Sequence, residues 1–267
     1  MFGRSFGVFA AAAILGLSVL AYSDGTGSSV IYVNASATGA NTGESWDNAF
    51  TSLQSALDAA ISGCEIWVAE GTYKPSKEVD GTGARYRTFQ LQNEVGLYGG
   101  FKGNEISRDL RNWEVNKTIL SGDLNGNGKD NNDAYHVFYR LPKPGDEYIN
   151  TSAVLDGFVI SGGNANGAGF HGCGGGMYNS ASGPTISNCT FVNNSAIFMG
   201  GAICNENASH STIINCIFRN NTAENGGGIL NSSSGIVVTD CTFANNSATK
   251  NGGGIDSRIP QQDIPFA

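Results

Sequence analysis

Asn188 to Ala196 reads NCTFVNNSA, Asn215 to Ala223 reads NCIFRNNTA and Asp240 to Ala248 reads DCTFANNSA, so one nine-residue phrase is written three times. Small-residue triplets at Gly174-Gly175-Gly176, Gly200-Gly201-Ala202, Gly226-Gly227-Gly228 and Gly252-Gly253-Gly254 follow one another at an unvarying step. Against that step the phrase starts one place late at Asn215 and is back in step at Asp240, a jitter that belongs to corners. A degenerate copy, LDGFVISGGNA from Leu155 to Ala165, aligns with Ile186 to Ala196 if NGAGF (166–170) is a five-residue insertion. A period held over four copies signals stacked structural units. Two-helix repeats run to roughly 33 residues or more with long Leu and Ala stripes. Here the apolar segments are short, β-branched or aromatic, and bounded by Gly or Asn, which is the signature of strands.

Within each phrase the Cys and Phe are two apart and therefore share one side of a strand. Ile186, Ile213 and Val238 stand three before the Cys residues, an odd spacing that brings them to the same side only if the chain bends in between. One repeat then reads as strand, corner, strand, corner, strand: one turn of a parallel β-helix stacking on the next at roughly 4.8 Å. The stacking predicts interior columns Cys189/Cys216/Cys241, Phe191/Phe218/Phe243 and Ala196/Ala223/Ala248. Burying each Phe contributes roughly 2–3 kcal/mol, and ring stacking up to about 1 more. Asn194, Asn221 and Asn246 form a corner column whose amides bond to one another and to backbone freed by the bend.

The whole chain has 267 residues, 38 Gly, 28 Asn and a formal charge of −8. Abundant Gly and Asn argue against a helical bundle and for frequent sharp corners. Fifteen thinly scattered Lys and Arg offer no phosphate-tracking surface, which argues against nucleic acid as a partner. Residues 1–23 read as an export signal: Arg4, an apolar run from Phe6 to Leu20, then Ala21-Tyr22-Ser23 as a cleavage site. The mature protein is expected to be exported, with no transmembrane span after cleavage. Residues 258–267 abandon the pattern without supplying a helix, strand or anchor, an ending expected of a chain cut short.

The phrases FVNN, FRNN and FANN match an FxxN motif, and GGAI (200–203) with GGGM and two copies of GGGI match a GGA[ILV] motif. In these the region resembles the repeats of polymorphic outer-membrane proteins. Residues 31–60 with EIWVAEGTYKP (65–75), LYGGF (97–101) and TILSGDLNGN (118–127) resemble the opening of right-handed parallel β-helix proteins of the pectate-lyase-like superfamily. The resemblance implies an all-β, single-stranded right-handed parallel β-helix with an N-terminal capping helix. It implies no single reaction, because that scaffold carries lyases, hydrolases, adhesins and secreted passengers.

The expected organisation is a signal peptide (1–23), an N-terminal strand and capping helix (24–65), irregular coils (66–154), regular coils of about 26 residues (155–257) and the unpatterned end (258–267). Leu53, Ala56, Leu57, Ala60 and Ile61 fall on one helical face, with Thr51 or Ser52 as N-cap, a cover for the first apolar layer. Ile66 to Val68, Phe89 to Leu91, Val95 to Tyr98, Thr118 to Leu120 and His136 to Phe138 read as strands of the irregular coils. Their loops carry 11 of the 15 basic residues, which makes this half the better place for a functional surface.

The candidate metal site is Asp123, Asn125, Asn127 and Asp130, with Gly126, Gly128 and Asp133 nearby. Alternating oxygen ligands around a tight Gly turn suit calcium, but Ala134 stands where the twelfth-position carboxylate belongs, so an Asx/Gly-rich turn is the competing account. Cys189, Cys216 and Cys241 are expected as buried thiols, with a bridge between two of the three as the competing account, and Cys64, Cys173 and Cys204 have no evident partner. No CxxC or Cys/His cluster suggests zinc. His136, His171 and His210 share no local motif and are expected at surface or turn positions. Trp46, Trp67 and Trp113 suit cap and core packing better than sugar stacking.

Between Leu155 and Ser257 the only basic residues are Arg219 and Lys250, and Asp156, Glu206, Glu224, Asp240 and Asp256 stand isolated. No catalytic residue is identified, and the expected role is structural, adhesive or carbohydrate-contacting at a cell surface, with a polysaccharide or another surface protein as partner. The rival is a polysaccharide lyase in the irregular coils using the acidic calcium loop with Arg108, Arg111 or Lys117. Their convergence on one concave face favours the lyase; dispersal favours a binding module.

Overall fold

The computed structural model describes residues 22–23 and 29–258. The export signal and the tail beyond residue 258 thus fall outside the described residues, apart from Tyr22–Ser23, which pair antiparallel with the strand Ser29–Val33. From Val154 onward each coil gives one strand to each of four parallel sheets. The first sheet receives Val154–Asp156, Thr185–Ser187, Thr212–Ile214 and Val237–Thr239. The second receives Phe158–Ser161, Thr190–Val192, Ile217–Arg219 and Thr242–Ala244. The third begins at Asn164–Ala165 and continues through Ser195–Ala196, Thr222–Asn225 and Ser247–Asn251. The fourth takes Met177–Ser180, Ile203–Glu206, Ile229–Ser232 and Ile255–Arg258. The molecule is a parallel β-helix, with four strands per regular coil rather than the three expected; the additional one starts as a two-residue strand, too short to show a period of its own.

Register follows the sequence period. Ile186 pairs with Ile213 and then Val238, Phe191 with Phe218 and then Phe243, and Ile203 with Ile229 and then Ile255. The bend inferred between Ile186 and Cys189 is at Asn188, with φ +52°, repeated at Asn215 (+50°) and Asp240 (+53°). Asn193, Asn220 and Asn245 turn the next corner at φ +57°, +56° and +54°. Asn and Asp tolerate this left-handed region best among residues with a side chain. At the first Gly of each triplet φ is +61° to +68°, and a Cβ there would press on the carbonyl oxygen three residues on, far inside contact distance. Only glycine fits.

Like stacks on like inside the tube. The rings of Phe191 and Phe218 lie 5.1 Å apart and those of Phe218 and Phe243 4.8 Å apart, both nearly parallel. Asn194 Nδ2 donates to Asn221 Oδ1 at 3.1 Å and to the Ile160 carbonyl at 3.0 Å; Asn221 Nδ2 donates to Asn246 Oδ1 at 2.9 Å and to the Phe191 carbonyl at 3.0 Å. Buried amides are thereby satisfied, as burial requires. Ala165, Ala196 and Ala223 form a separate small column.

Cys64–Ala69 and Gly96–Phe101 extend the first sheet toward the N-terminus, Gly71–Tyr73 and Thr118–Ser121 the second, and Phe138–Arg140 the fourth. Phe89 makes only an isolated bridge to Phe138, so the strand expected over Phe89 to Leu91 is not formed, although Phe89 is fully buried. The helix spans Leu53–Ala59, with Ser52 at its N-cap position but no side-chain capping bond; Leu53, Ala56 and Leu57 are buried against the first coil. Ala60 is extended, which ends the helical phase, and Ile61 is 68% exposed instead of joining the buried face.

Phe218 is sandwiched and fully buried, whereas Phe243 in the last described coil is only partly buried. Phe218→Ala is therefore expected to lower unfolding free energy by about 3–5 kcal/mol and Phe243→Ala by clearly less. Urea titration followed by circular dichroism measures both, and equal losses would contradict the packing described.

Candidate functional site

The segment 102–117 leaves the tube between Phe101 and Thr118 and folds over the outer face of the first sheet. Its start is anchored at Glu105, whose carboxylate accepts the backbone N–H groups of Lys102, Gly103 and Asn104 and whose carbonyl accepts Trp46 Nε1–H. Trp67, fully buried, stacks on Phe101 at 4.9 Å with Trp46 alongside, so both tryptophans pack in the cap as expected.

Past this anchor the segment lays two arginines over Tyr98. The Arg108 guanidinium lies 4.5 Å and that of Arg111 5.1 Å from the Tyr98 ring centre, and Arg111 is 4.9 Å from the Trp113 ring. Each arginine has a carboxylate partner. Arg108 Nη1 donates to Glu65 Oε1 at 2.5 Å, and Glu65 Oε2 also accepts Trp67 Nε1–H at 2.7 Å. Arg111 Nη2 donates to Asp156 Oδ1 at 2.7 Å, while Nη1 reaches the carbonyls of Gly99 and Asp156 at 3.0 and 3.2 Å. Ser187 Oγ–H and Asn188 Nδ2–H complete the hydrogen bonding of Asp156, each at 2.9 Å.

Between these side chains lies an open groove of about 420 Å³, lined by Tyr98, Arg108, Asp109, Arg111, Trp113, Val154 and Asp156. Asp156 is thus not isolated, and Trp113, half-buried, faces the groove rather than the core. Arg108 and Arg111 converge here; Lys117 instead donates to the Trp113 carbonyl at 3.1 Å from an exposed position. Burial raises the Tyr98 phenol above its ordinary range against the opposing pull of Arg108, so it remains a neutral hydroxyl. The groove offers ring faces, guanidinium N–H groups and carboxylate oxygens, the groups that engage a sugar's apolar face and hydroxyls.

The candidate calcium residues are gathered in one exposed loop. Asp123 holds the turn by accepting the Gly126 and Gly128 N–H groups at 2.6 and 2.9 Å. Asn125 and Asn127 each donate Nδ2–H to Asp130 Oδ2, at 2.9 and 3.0 Å. Bonds from the Asn127 side chain, the Asn132 backbone and the Asn125 side chain hold the Asp130 carboxyl well below the usual range. Among the described residues no group of three or more His, Cys, Asp or Glu side chains is placed to hold a metal by itself; here the acids are interleaved with amides.

The histidines are not all at the surface. His136 is buried, its Nδ1–H donating to the Gly174 carbonyl at 2.9 Å and its Nε2 accepting from His171 Nδ1 at 3.1 Å. Tyr139 stacks on both rings, at 4.8 and 5.4 Å, and donates its hydroxyl to Asp80. His210 lies beyond this cluster, with its Nδ1 at 3.2 Å from the Gly235 N–H. The six cysteines are free thiols; Cys173 and Cys204, whose partners the sequence does not show, meet in one small buried cluster with Tyr139, Tyr178 and Leu230. Because the paired residues come from different coils, no local motif marks either the arginine groove or the histidine cluster.

Burial pushes His136 down to about 3, assisted by the nearby His171 and Arg85 charges and opposed by the Gly174 bond. The unfolded chain protonates this histidine near its ordinary value of about 6.5. Between those values the unfolded state binds the extra proton, so stability is full above about 6.5 and falls with acidification, by up to about 1.4 kcal/mol per pH unit from this group. His136→Gln is expected to flatten the decline in unfolding free energy between pH 7 and 5; a slope identical to that of the parent protein would contradict the assignment.

A family model described as right handed beta helix region matches residues 147–258, which takes in every regular coil. No curated protein and no solved structure matches the chain.

Proposed function

We propose that this is an exported, surface-associated β-helix protein that binds carbohydrate without transforming it, through the groove of Tyr98, Arg108, Arg111, Trp113 and Asp156. The observation that carries this reading is that both arginines are neutralised by carboxylates within the protein while two aromatic rings line the same groove. Arg111, with two carbonyls and Asp156 as partners, is a scaffold for the groove and not a free base. Ile106, Leu110 and Val115 on the same segment are exposed and give the rim an apolar character. Two cations among Glu65, Asp109 and Asp156, in a protein of net charge −8, favour a neutral glycan over a polyuronate. Export rests on the signal-like residues 1–23, and surface placement on the resemblance of the FxxN and GGA[ILV] repeats to polymorphic outer-membrane proteins. No helix among the described residues is long and apolar enough to cross a membrane.

The convergence of Arg108 and Arg111 supports a second reading, a polysaccharide lyase in which a guanidinium neutralises a uronate. Affinity electrophoresis against neutral and uronate polysaccharides, with a parallel assay for unsaturated products, separates the two. The binding reading expects retardation by a neutral glycan, at least about tenfold weaker in Trp113→Ala, and no product. Sustained turnover of a uronate, lost in Arg108→Ala, would replace it with the lyase; binding unaffected by Trp113→Ala would remove the groove from either account.

A further inference from the structure

Beneath the loop that carries Asp123 and Asp130 lies a carboxylate that the hydrogen bonding leaves incomplete. Asp133 is fully buried; its Oδ2 accepts the Asp130 N–H at 2.7 Å, but its Oδ1 is buried with no hydrogen-bond partner. A buried carboxylate oxygen without a partner is costly. The Asp130 and Asp123 carboxylates lie close enough to oppose its charge further. The cationic groups nearby do not resolve this. Arg85 is the closest guanidinium, but its Nε donates to the Asp133 carbonyl and its Nη2 to the Asn164 carbonyl and Asn166 Oδ1, at 2.9, 3.0 and 2.5 Å. Lys129 influences Asp133 electrostatically but forms no ion pair with it.

We propose that this loop is a calcium site in which Asp130, Asn125 and Asn127 supply side-chain oxygens, Asp133 supplies the buried negative charge, and Asp123 positions the turn. Two features of the geometry support the assignment. Asn125 and Asn127 already touch one oxygen of Asp130 through their Nδ2 groups. An amide carries its oxygen and nitrogen at nearly equivalent positions, so rotating each by half a turn would bring its Oδ1 beside Asp130 Oδ2, with Asn125 Oδ1 giving up the Asn127 N–H that it accepts at 3.3 Å. A hard cation with six to eight oxygen ligands at about 2.3–2.6 Å, taken partly from water, suits so flexible and exposed a loop better than magnesium, which demands a strict octahedron. A depression of about 530 Å³ bordered by Lys129, Asn131, Asn164 and Asn166 opens beside Asp130. Asn164 Nδ2 holds the Asp130 carbonyl at 2.7 Å, tying the loop to the third sheet, so an ion bound here would brace the irregular coil against the first regular one.

Calcium alone, titrated into the metal-stripped full chain by calorimetry and by thermal unfolding, tests the assignment. Saturating calcium is expected to raise the melting temperature by about 5 °C or more, and equimolar magnesium by clearly less. Asp133→Asn and Asp130→Asn should each weaken binding at least about tenfold. Asp130→Asn is the informative variant if Asp133→Asn misfolds, because the Asp130 side chain lies in the exposed part of the loop. Terbium, bound in place of calcium, gives a luminescence readout independent of stability. Absence of heat, of a thermal shift and of terbium luminescence at millimolar metal would overturn the site, and so would calcium binding that survives both substitutions.

Discussion

Each coil of this molecule hydrogen-bonds to its successor in parallel register, and that constraint decides almost everything else. Parallel in-register pairing puts equivalent residues directly above one another, so a residue chosen once must be compatible with a copy of itself on either side. Phenylalanine meets this condition by ring stacking, and asparagine by donating from its Nδ2 to the Oδ1 of the next copy. Each solution uses side chains that both give and receive the same contact. The corners obey the same logic, with Asn or Asp in the left-handed conformation at the first bend and Asn at the second, replaced in the first regular coil by Gly157 and Gly162.

The outward residues of the regular strands vary from coil to coil, as Val192, Arg219 and Ala244 do, but they include few charges. Chemistry therefore enters where coils are interrupted. The 102–117 excursion carries Arg108, Arg111 and Trp113 onto the outer face of the first sheet, where Tyr98 and Asp156 wait on adjacent strands. The Asp123 loop interrupts another coil and comes to rest on the third sheet through Asn164. In each case the rigid scaffold contributes fixed anchors and the insertion contributes reach.

The regular half of the fold is legible in the sequence because its repeat records the vertical contacts. Residues one period apart become register partners, as Phe191 does with Phe218 and Ile203 with Ile229, and the odd spacing of Ile186 and Cys189 foretells the bend at Asn188. The third sheet's origin stays hidden, because Asn164–Ala165 is too short to display alternation. The groove is half legible. Arg108 and Arg111 stand out as cations in irregular loops, but Asp156 reads as isolated and Trp113 as core because their partners are in other coils or other strands. Arg111 and Asp156 stand 45 positions apart, a spacing that matches no repeat, so only the completed stack brings them together. His136 and His171, 35 residues apart, escape notice for the same reason.

The claim that adjacent copies touch and alternate copies do not is tested by double-mutant cycles along the phenylalanine column. For Phe191→Ala with Phe218→Ala the account predicts a coupling free energy on the order of 1 kcal/mol. For Phe191→Ala with Phe243→Ala, two coils apart, it predicts additivity within about 0.5 kcal/mol. Additive effects for the adjacent pair, or equal coupling in both cycles, would contradict the stacked arrangement.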